Sequence, residues 1–217
     1  MDLYIYGAGG FAREVAWLAE QCRESDRELK VLGFVDDDAS LHGTIINSYR
    51  VFSFDEALKE SRVAGFSVAI GSPALRQKLS DRVEQAGRPL TSLIHPRTER
   101  SQWLEYGAGT VICAGNILTT NIRLKKNVQI NLDCTIGHDV VMDDFVTLAP
   151  GVHVSGCVQL RNRVYIGTGA VIVNGDPSRP LIIGEDAVIG AGAVVSKSLE
   201  GGQTYVGVPA RPLPLRT

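Results

Sequence analysis

An aliphatic or aromatic residue returns at every sixth position from Tyr106 to Ile172, through Ile112, Leu118, Leu124, Ile130, Ile136, Met142, Leu148, Val154, Leu160 and Ile166. A helix repeats near 3.6 residues and a simple strand near two, so neither yields this series, whereas a solenoid of hexapeptide β-strand repeats does. Four residues into each hexad a second position stays mostly small or β-branched, as at Thr110, Ile122, Val128, Cys134, Val140, Val146, Val152, Val158, Val164 and Ala170. Two inward residues per hexad suit a triangular prism whose flat faces are short strands. Three hexads, about 18 residues, close one coil, and coils stack at the strand spacing of about 4.7 Å. Residues 18 apart therefore stand one above another. The register resumes at Ile183, Ile189 and Val195 after one step of 11 residues, and the five extra residues fall within Asn174 to Pro180, a loop thrown out of one corner.

The first 94 residues follow another pattern. An apolar run from Leu3 to Tyr6 meets a glycine turn, Gly7, Gly9 and Gly10, and then a helical pattern with Val15, Leu18 and Ala19 on one face. Gly7, Gly9 and Ala12 fit the G-x-G-x-x-A turn that lets backbone approach a phosphate at a helix amino terminus. A second apolar run, Val31 to Val35, ends at Asp36, Asp37 and Asp38. Carboxylates there can accept hydrogen bonds from a ribose or base, or simply make a solvated turn. A third run, Phe66 to Ile70, leads into Gly71, with Ser72 as N-cap and Pro73 at the first helical position. Alternating strands and helices imply a parallel sheet. This length holds about one mononucleotide-binding half, so a single nucleotide, as in an activated sugar, fits better than a dinucleotide. The expected organisation is a small Rossmann-like α/β domain over residues 1–94, followed by a parallel β-helix over 95–217.

Charge and cysteine usage narrow the partners. A net charge of -2 without any basic stripe argues against nucleic acid. Nowhere do 18 apolar residues run together and the amino terminus reaches glycine too soon for a signal peptide, so no membrane association and a cytoplasmic location are expected. Cys22, Cys113, Cys134 and Cys157 show no C-x-x-C spacing and read as reduced thiols.

The chain resembles the NeuD- and PglD-type sugar O- and N-acyltransferases over essentially its whole length. The stretches that carry the resemblance are YGAGGFAREV, GFVDDD, AIGSPALRQKL, LIHP, INLDCTIGHD, LAPGVHVSG, IGAGAVV and GVPARPL. The resemblance implies a left-handed β-helix, a homotrimer, and transfer of an acetyl group from acetyl-coenzyme A to a nucleotide-linked sugar, often an amino sugar. It puts the catalytic base on His138 in TIGHD, its acidic partner on Asp139, and the thioester-facing backbone N–H on Gly156. An imidazole can take the proton that an attacking amine must lose, although side chains adjacent in sequence pair awkwardly. Asn131 matches a position near the acceptor sugar, and Gly7, Gly9, Gly10, Asp36, Asp37 and Gly71 would hold the nucleotide sugar. Coenzyme A would lie on Gly156, Gly190, Ala191 and Gly192, with Lys197 and Arg211 for its phosphates. No metal is implied. No cysteine or serine is paired with His138 in the family motif, so direct transfer without an acyl-enzyme is expected.

Two positions depart from the family pattern: Phe11 and Thr147 stand where many members have histidine. Sugar O-acetylation and a noncatalytic trimeric scaffold for nucleotide sugars remain as rival readings. A nicotinamide-dependent enzyme would use the glycine turn. A zinc hydratase would need three imidazoles, whereas the repeat carries only His138 and His153.

Overall fold

In the computed structural model, which describes residues 1–25 and 28–214, the chain divides into two units, Met1–Pro96 and Arg97–Thr217. The first is built on strands β1 (Asp2–Tyr6), β2 (Lys30–Val35), β3 (Ile45–Ile46), β4 (Tyr49–Phe52) and β5 (Gly65–Val68), in the spatial order β3-β4-β2-β1-β5. Only the β3–β4 hairpin is antiparallel. Helices α1 (Gly10–Ser25), α2 (Phe54–Glu60) and α3 (Pro73–Gln85) connect the parallel strands. α2 starts on a capping box, in which the Ser53 hydroxyl accepts from the Glu56 N–H and the Glu56 carboxylate accepts from the Ser53 N–H. Ser72 caps α3 with Pro73 just inside it, where a missing N–H costs nothing. Tyr4, Tyr6, Phe52, Phe54 and Phe66 form one aromatic cluster in the core.

In the second unit the ladder sets residues 18 apart side by side, as in Ile117–Thr135, Thr135–His153 and His153–Val171. Past the loop the step becomes 23, with Val171 beside Val194 and Leu160 beside Ile183. The five extra residues leave the stack without disturbing it. From Ile112 onward both inward positions of the hexads are buried, including Ile183, Ile189 and Val195. Fully burying one such side chain contributes roughly 1.5–3 kcal/mol. Tyr106 is the exception at 45 % exposure, because it lies on the first strand of its face and has a coil on one side only. Asn116 takes an inward position as a polar residue. Its amide donates to the Cys113 and Asn131 carbonyls, and its oxygen accepts from the Cys134 N–H, so burial leaves nothing unpaired.

The corners share one conformation. Every sixth residue from Gly109 to Gly169 has φ between +54 and +78°, including Asn121, Asp139 and Cys157 one above another. Glycine, asparagine and aspartate tolerate this region, while other side chains cost about 1–2 kcal/mol there. The last coil is closed differently. The chain folds back so that Arg211–Pro212 pairs antiparallel with Val206 and Tyr205.

Candidate active site

Three corners run the length of the prism, and the sequence-singled residues divide between two of them. Thr120/Asn121, His138/Asp139, Gly156/Cys157, Asn174/Gly175 and Lys197/Ser198 stack on the first. Asn131 and the Gly190–Gly192 segment belong to another, one full side of the prism away. There the Asn131 amide donates to the Leu148 carbonyl at 2.7 Å.

At the first corner His138 Nδ1 lies 2.8 Å from Asp139 Oδ2. A carboxylate can only accept, so Nδ1 carries the hydrogen and Nε2 is left bare to take a proton. The φ of +59° at Asp139 swings its side chain back beside its neighbour's, which resolves the awkwardness of an adjacent pair. Asn121, one coil below, donates to the other carboxylate oxygen at 3.2 Å. The His138 bond first, and the Asn121 bond second, hold the Asp139 carboxyl below the usual range.

Gly156 forms the floor under the imidazole. A Cβ built there would stand 2.5 Å from His138 Nε2 and 2.6 Å from Cε1, so only glycine lets the ring lie where it does. At a neighbouring corner the equivalent N–H groups are capped from one coil further on, Lys126 by the Asp144 carboxylate and Asp144 by the Asn162 oxygen. The Gly156 N–H meets no acceptor among the described residues. A fixed, uncompensated donor beside an imidazole can serve a developing oxyanion.

Cavities open on both sides of this pair along the corner. Towards the amino end, about 340 Å³ is lined by Trp103, Glu105, Asn121, Arg123 and Asp139. Towards the carboxy end, about 620 Å³ is lined by Asn174, Asp176, Arg179, Pro180 and Lys197. Arg179, on the extra loop, is a cation the sequence reading passed over. Arg211 lies on the closing strand with its guanidinium on the Ala210 carbonyl. Thr147 is buried on the opposite face of the prism.

In the first unit Gly7 has φ +115° and no room for a Cβ, with Ile70 Cδ1 at 2.9 Å, while Gly9 and Gly71 face open space and Gly10 nears only the tip of Arg13. Asp36 closes the turn, one oxygen accepting from the Ala8 N–H and the other from the Asp38 N–H. Both its oxygens are thus already engaged. Asp37 accepts from Tyr6 Oη at 2.9 Å and from Arg82 Nη1 at 2.8 Å. Arg82 also stacks on Phe54, and with Lys78 one turn earlier it lines a cavity of about 720 Å³ that includes Asp37. Sequence reasoning missed both cations, since nothing local ties α3 to Asp37. The fully buried Arg76 donates to the Ile70 carbonyl and holds the β5–α3 turn, its pKa pushed down to about 9 by burial. His42 bonds the Asp36 carbonyl, and His153 the Thr135 hydroxyl one coil below.

A small Rossmann-like α/β unit followed by a hexapeptide β-helix, with a histidine and aspartate at one corner, is the arrangement of the β-helix acyltransferases. Residues 2–83 match the PglD N-terminal domain family. The chain is 37% identical over 214 residues to a GDP-perosamine N-acetyltransferase of Escherichia coli O157:H7, covering 97% of this chain and 96% of that one. It superposes on WeeI from Acinetobacter baumannii AYE with a TM-score of 0.91 at 36% identity, covering 98% of this chain and 100% of that one. It also superposes on PerB from Caulobacter crescentus, solved with CoA and GDP-perosamine, with a TM-score of 0.86 at 27% identity over 99% and 98% of the two chains. The chain belongs to the PglD-type family of sugar acyltransferases, which share a left-handed β-helix.

Proposed function

We propose that this protein transfers the acetyl group of acetyl-coenzyme A to the amine of a nucleotide-linked amino sugar. The observation that carries the reading is the corner itself: an imidazole with its Nδ1 proton committed to Asp139, lying on a glycine whose N–H is open. Nε2 takes the proton as the amine attacks the thioester carbon, and the Gly156 N–H stabilises the oxygen that becomes negative. Collapse expels the coenzyme A thiolate, to which the imidazolium returns the proton. The kinship with a GDP-perosamine N-acetyltransferase and with PerB favours nitrogen over oxygen as the acceptor atom. The test is incubation with acetyl-coenzyme A and a panel of UDP-, dTDP- and GDP-linked 4-amino sugars, followed by mass spectrometry. One acceptor is expected to gain a single acetyl group, and failure of every amino sugar would overturn the reading.

Asn121, Trp103 and Arg123 flank the base on the acceptor side. On the other side Lys197 stands two coils beyond Gly156, about 9 Å along the corner, beside Arg179 in the larger cavity. We assign these two cations to the phosphates of coenzyme A. Lys197→Ala with Arg179→Ala is expected to raise the KM for acetyl-coenzyme A about tenfold or more, with the acceptor KM unchanged. An unchanged KM for the donor would remove both residues from that role. In the first unit Asp37, Lys78 and Arg82 suit a sugar nucleotide.

Cys157 is a nucleophile beside the base, yet it is 5% exposed and burial raises its thiol pKa. A buried, protonated thiol is a poor nucleophile towards a thioester, which favours direct transfer over an acetyl-cysteine intermediate.

We infer a homotrimer, a reading supported by the division of the expected site residues between two corners. A thioester and an acceptor sugar bound together can meet His138, Asn131 and the Gly190–Gly192 backbone only if the second corner comes from another copy. Outward apolar residues on the strands entering the catalytic corner, Ile117, Val171 and Val194, supply a surface for it. Light scattering is expected to give three times the chain mass, and a fully active monomer would exclude a shared site. Among the described residues no helix is long and apolar enough to cross a membrane. We place the reaction in the cytoplasm, which suits four cysteines that form no disulfide among the described residues.

A further inference from the structure

The catalytic corner holds three different metal-binding groups. The ligand atoms of His138, Asp139 and Cys157 lie within 4.8 Å of one another. Cys157 sits 18 residues beyond Asp139, so it stands directly above it, and the backbone hydrogen bond from its N–H to the His138 carbonyl at 2.9 Å fixes that placement. Its thiol is nine-tenths buried, faces the histidine–aspartate pair, and donates to no acceptor among the described residues. Nothing in the transfer reaction uses it. Its φ of +56° lies where glycine or asparagine is cheapest, so backbone geometry does not explain a cysteine there.

We propose that His138, Asp139 and Cys157 form a binding site for a borderline-soft divalent cation of the zinc type, and that occupancy switches the enzyme off by taking the catalytic base. Around tetrahedral zinc, nitrogen and oxygen ligands stand at about 2.0–2.2 Å and sulfur at about 2.3 Å, which places the ligand atoms themselves roughly 3.3–3.8 Å apart. Nδ1 and Oδ2 are 2.8 Å apart, so the ion replaces the proton between them. The thiol closes the remaining gap by about 1 Å, mostly through movement of the half-exposed His138 and Asp139 side chains. The thiol proton leaves to solvent and the imidazole proton passes through water from Nδ1 to Nε2, where it blocks the base; the sulfur binds as thiolate, and water fills the fourth position. No electron moves. One sulfur, one nitrogen and one oxygen ligand select zinc, cobalt or cadmium over magnesium and calcium, which require oxygen shells. The site is therefore an inhibitory one, distinct from any requirement of the transfer chemistry.

The test has one readout that does not depend on turnover. Cobalt(II) added to the metal-free protein is expected to give a near-ultraviolet sulfur-to-cobalt charge-transfer band in the wild type and none in Cys157→Ser. In the acetyl-transfer assay zinc is expected to inhibit the wild type reversibly, with recovery on adding a chelator and no effect of magnesium. Cys157→Ser is expected to keep its basal rate and to need about 10- to 100-fold more zinc for the same inhibition. Cys157→Asn serves if the serine variant folds poorly. Equal zinc sensitivity in wild type and variant, or the absence of a cobalt–sulfur band in the wild type, would overturn the proposal. If no acceptor is ever acetylated, the transferase reading fails while the cobalt spectrum still decides the site.

Discussion

His138→Ala and His138→Asn are expected to lower kcat by about 10²- to 10⁴-fold while leaving the binding of both substrates nearly intact. The side chain is exposed at the corner and supports no core residue, so the variants should fold and assemble as the wild type does. What they lose is the acceptor for the amine proton. Raising the pH neutralises more of the amine before it binds, and part of the rate should return. Asp139→Asn is expected to lose less. An amide can still accept the Nδ1 hydrogen through its oxygen, and what disappears is the negative charge that stabilises the imidazolium. The Asn121 bond then decides which way the new amide turns, since the Asn121 NH2 also needs an oxygen opposite it. A His138 variant with near-normal kcat, or a stable acetylated enzyme isolated without acceptor, would falsify the mechanism.

Gly156→Ala should be nearly as damaging through one methyl group. Its φ lies outside the left-handed region, so alanine is compatible with the backbone. The added carbon would nevertheless overlap the imidazole, 2.5 Å from Nε2, 2.6 Å from Cε1 and 2.9 Å from Cδ2. The ring is exposed on its other side and will swing outward, breaking its bond to Asp139 and leaving the Gly156 N–H without an aligned base. A displacement of about 1 Å at the reacting centre costs on the order of 10²-fold in rate. The expected signature is a large loss of kcat with an unchanged melting temperature. Normal turnover by Gly156→Ala would show that the base does not work from this position.

The β-helix was readable because each coil repeats the same environment, so Ile112, Leu118 and their successors report the same inward position many times over. Tyr106 broke that register because repetition fails at the end of a stack, where one neighbour is missing. The β3–β4 hairpin carried a weaker signal. Its turn uses Asn47 and Ser48, both at positive φ, in place of the asparagine–glycine pair that would announce it. Helix α2 has seven residues, too few to display a helical period, although Ser53 and Glu56 spelled out its capping box.

The site was legible along the corner and obscure across the fold. His138, Asp139 and Gly156 were singled out through the family resemblance, and the step of 18 residues placed Gly156 one coil above His138. The same arithmetic places Cys157 above Asp139, which attention to family motifs alone did not bring out. Arg82 reaching Asp37 across 45 positions of sequence depends on how α3 packs in its unit, and no local pattern encodes that. Asp36 illustrates the converse. It was singled out as a ligand contact, while its two oxygens hold the glycine turn and the aspartate turn in shape.

The reversal of the chain at Arg211–Pro212 bears on how far such a stack can grow. Each coil of parallel strands presents unpaired backbone groups to the next, and an uncovered final coil would offer the template on which fibrils elongate. Here Val206 and Tyr205 are paired by a strand running the opposite way, and Pro212 within it has no N–H to extend the ladder. On this face of the prism a repeat that in principle has no natural length is thereby given a terminus, and the edge on which a further copy could add its strand is closed.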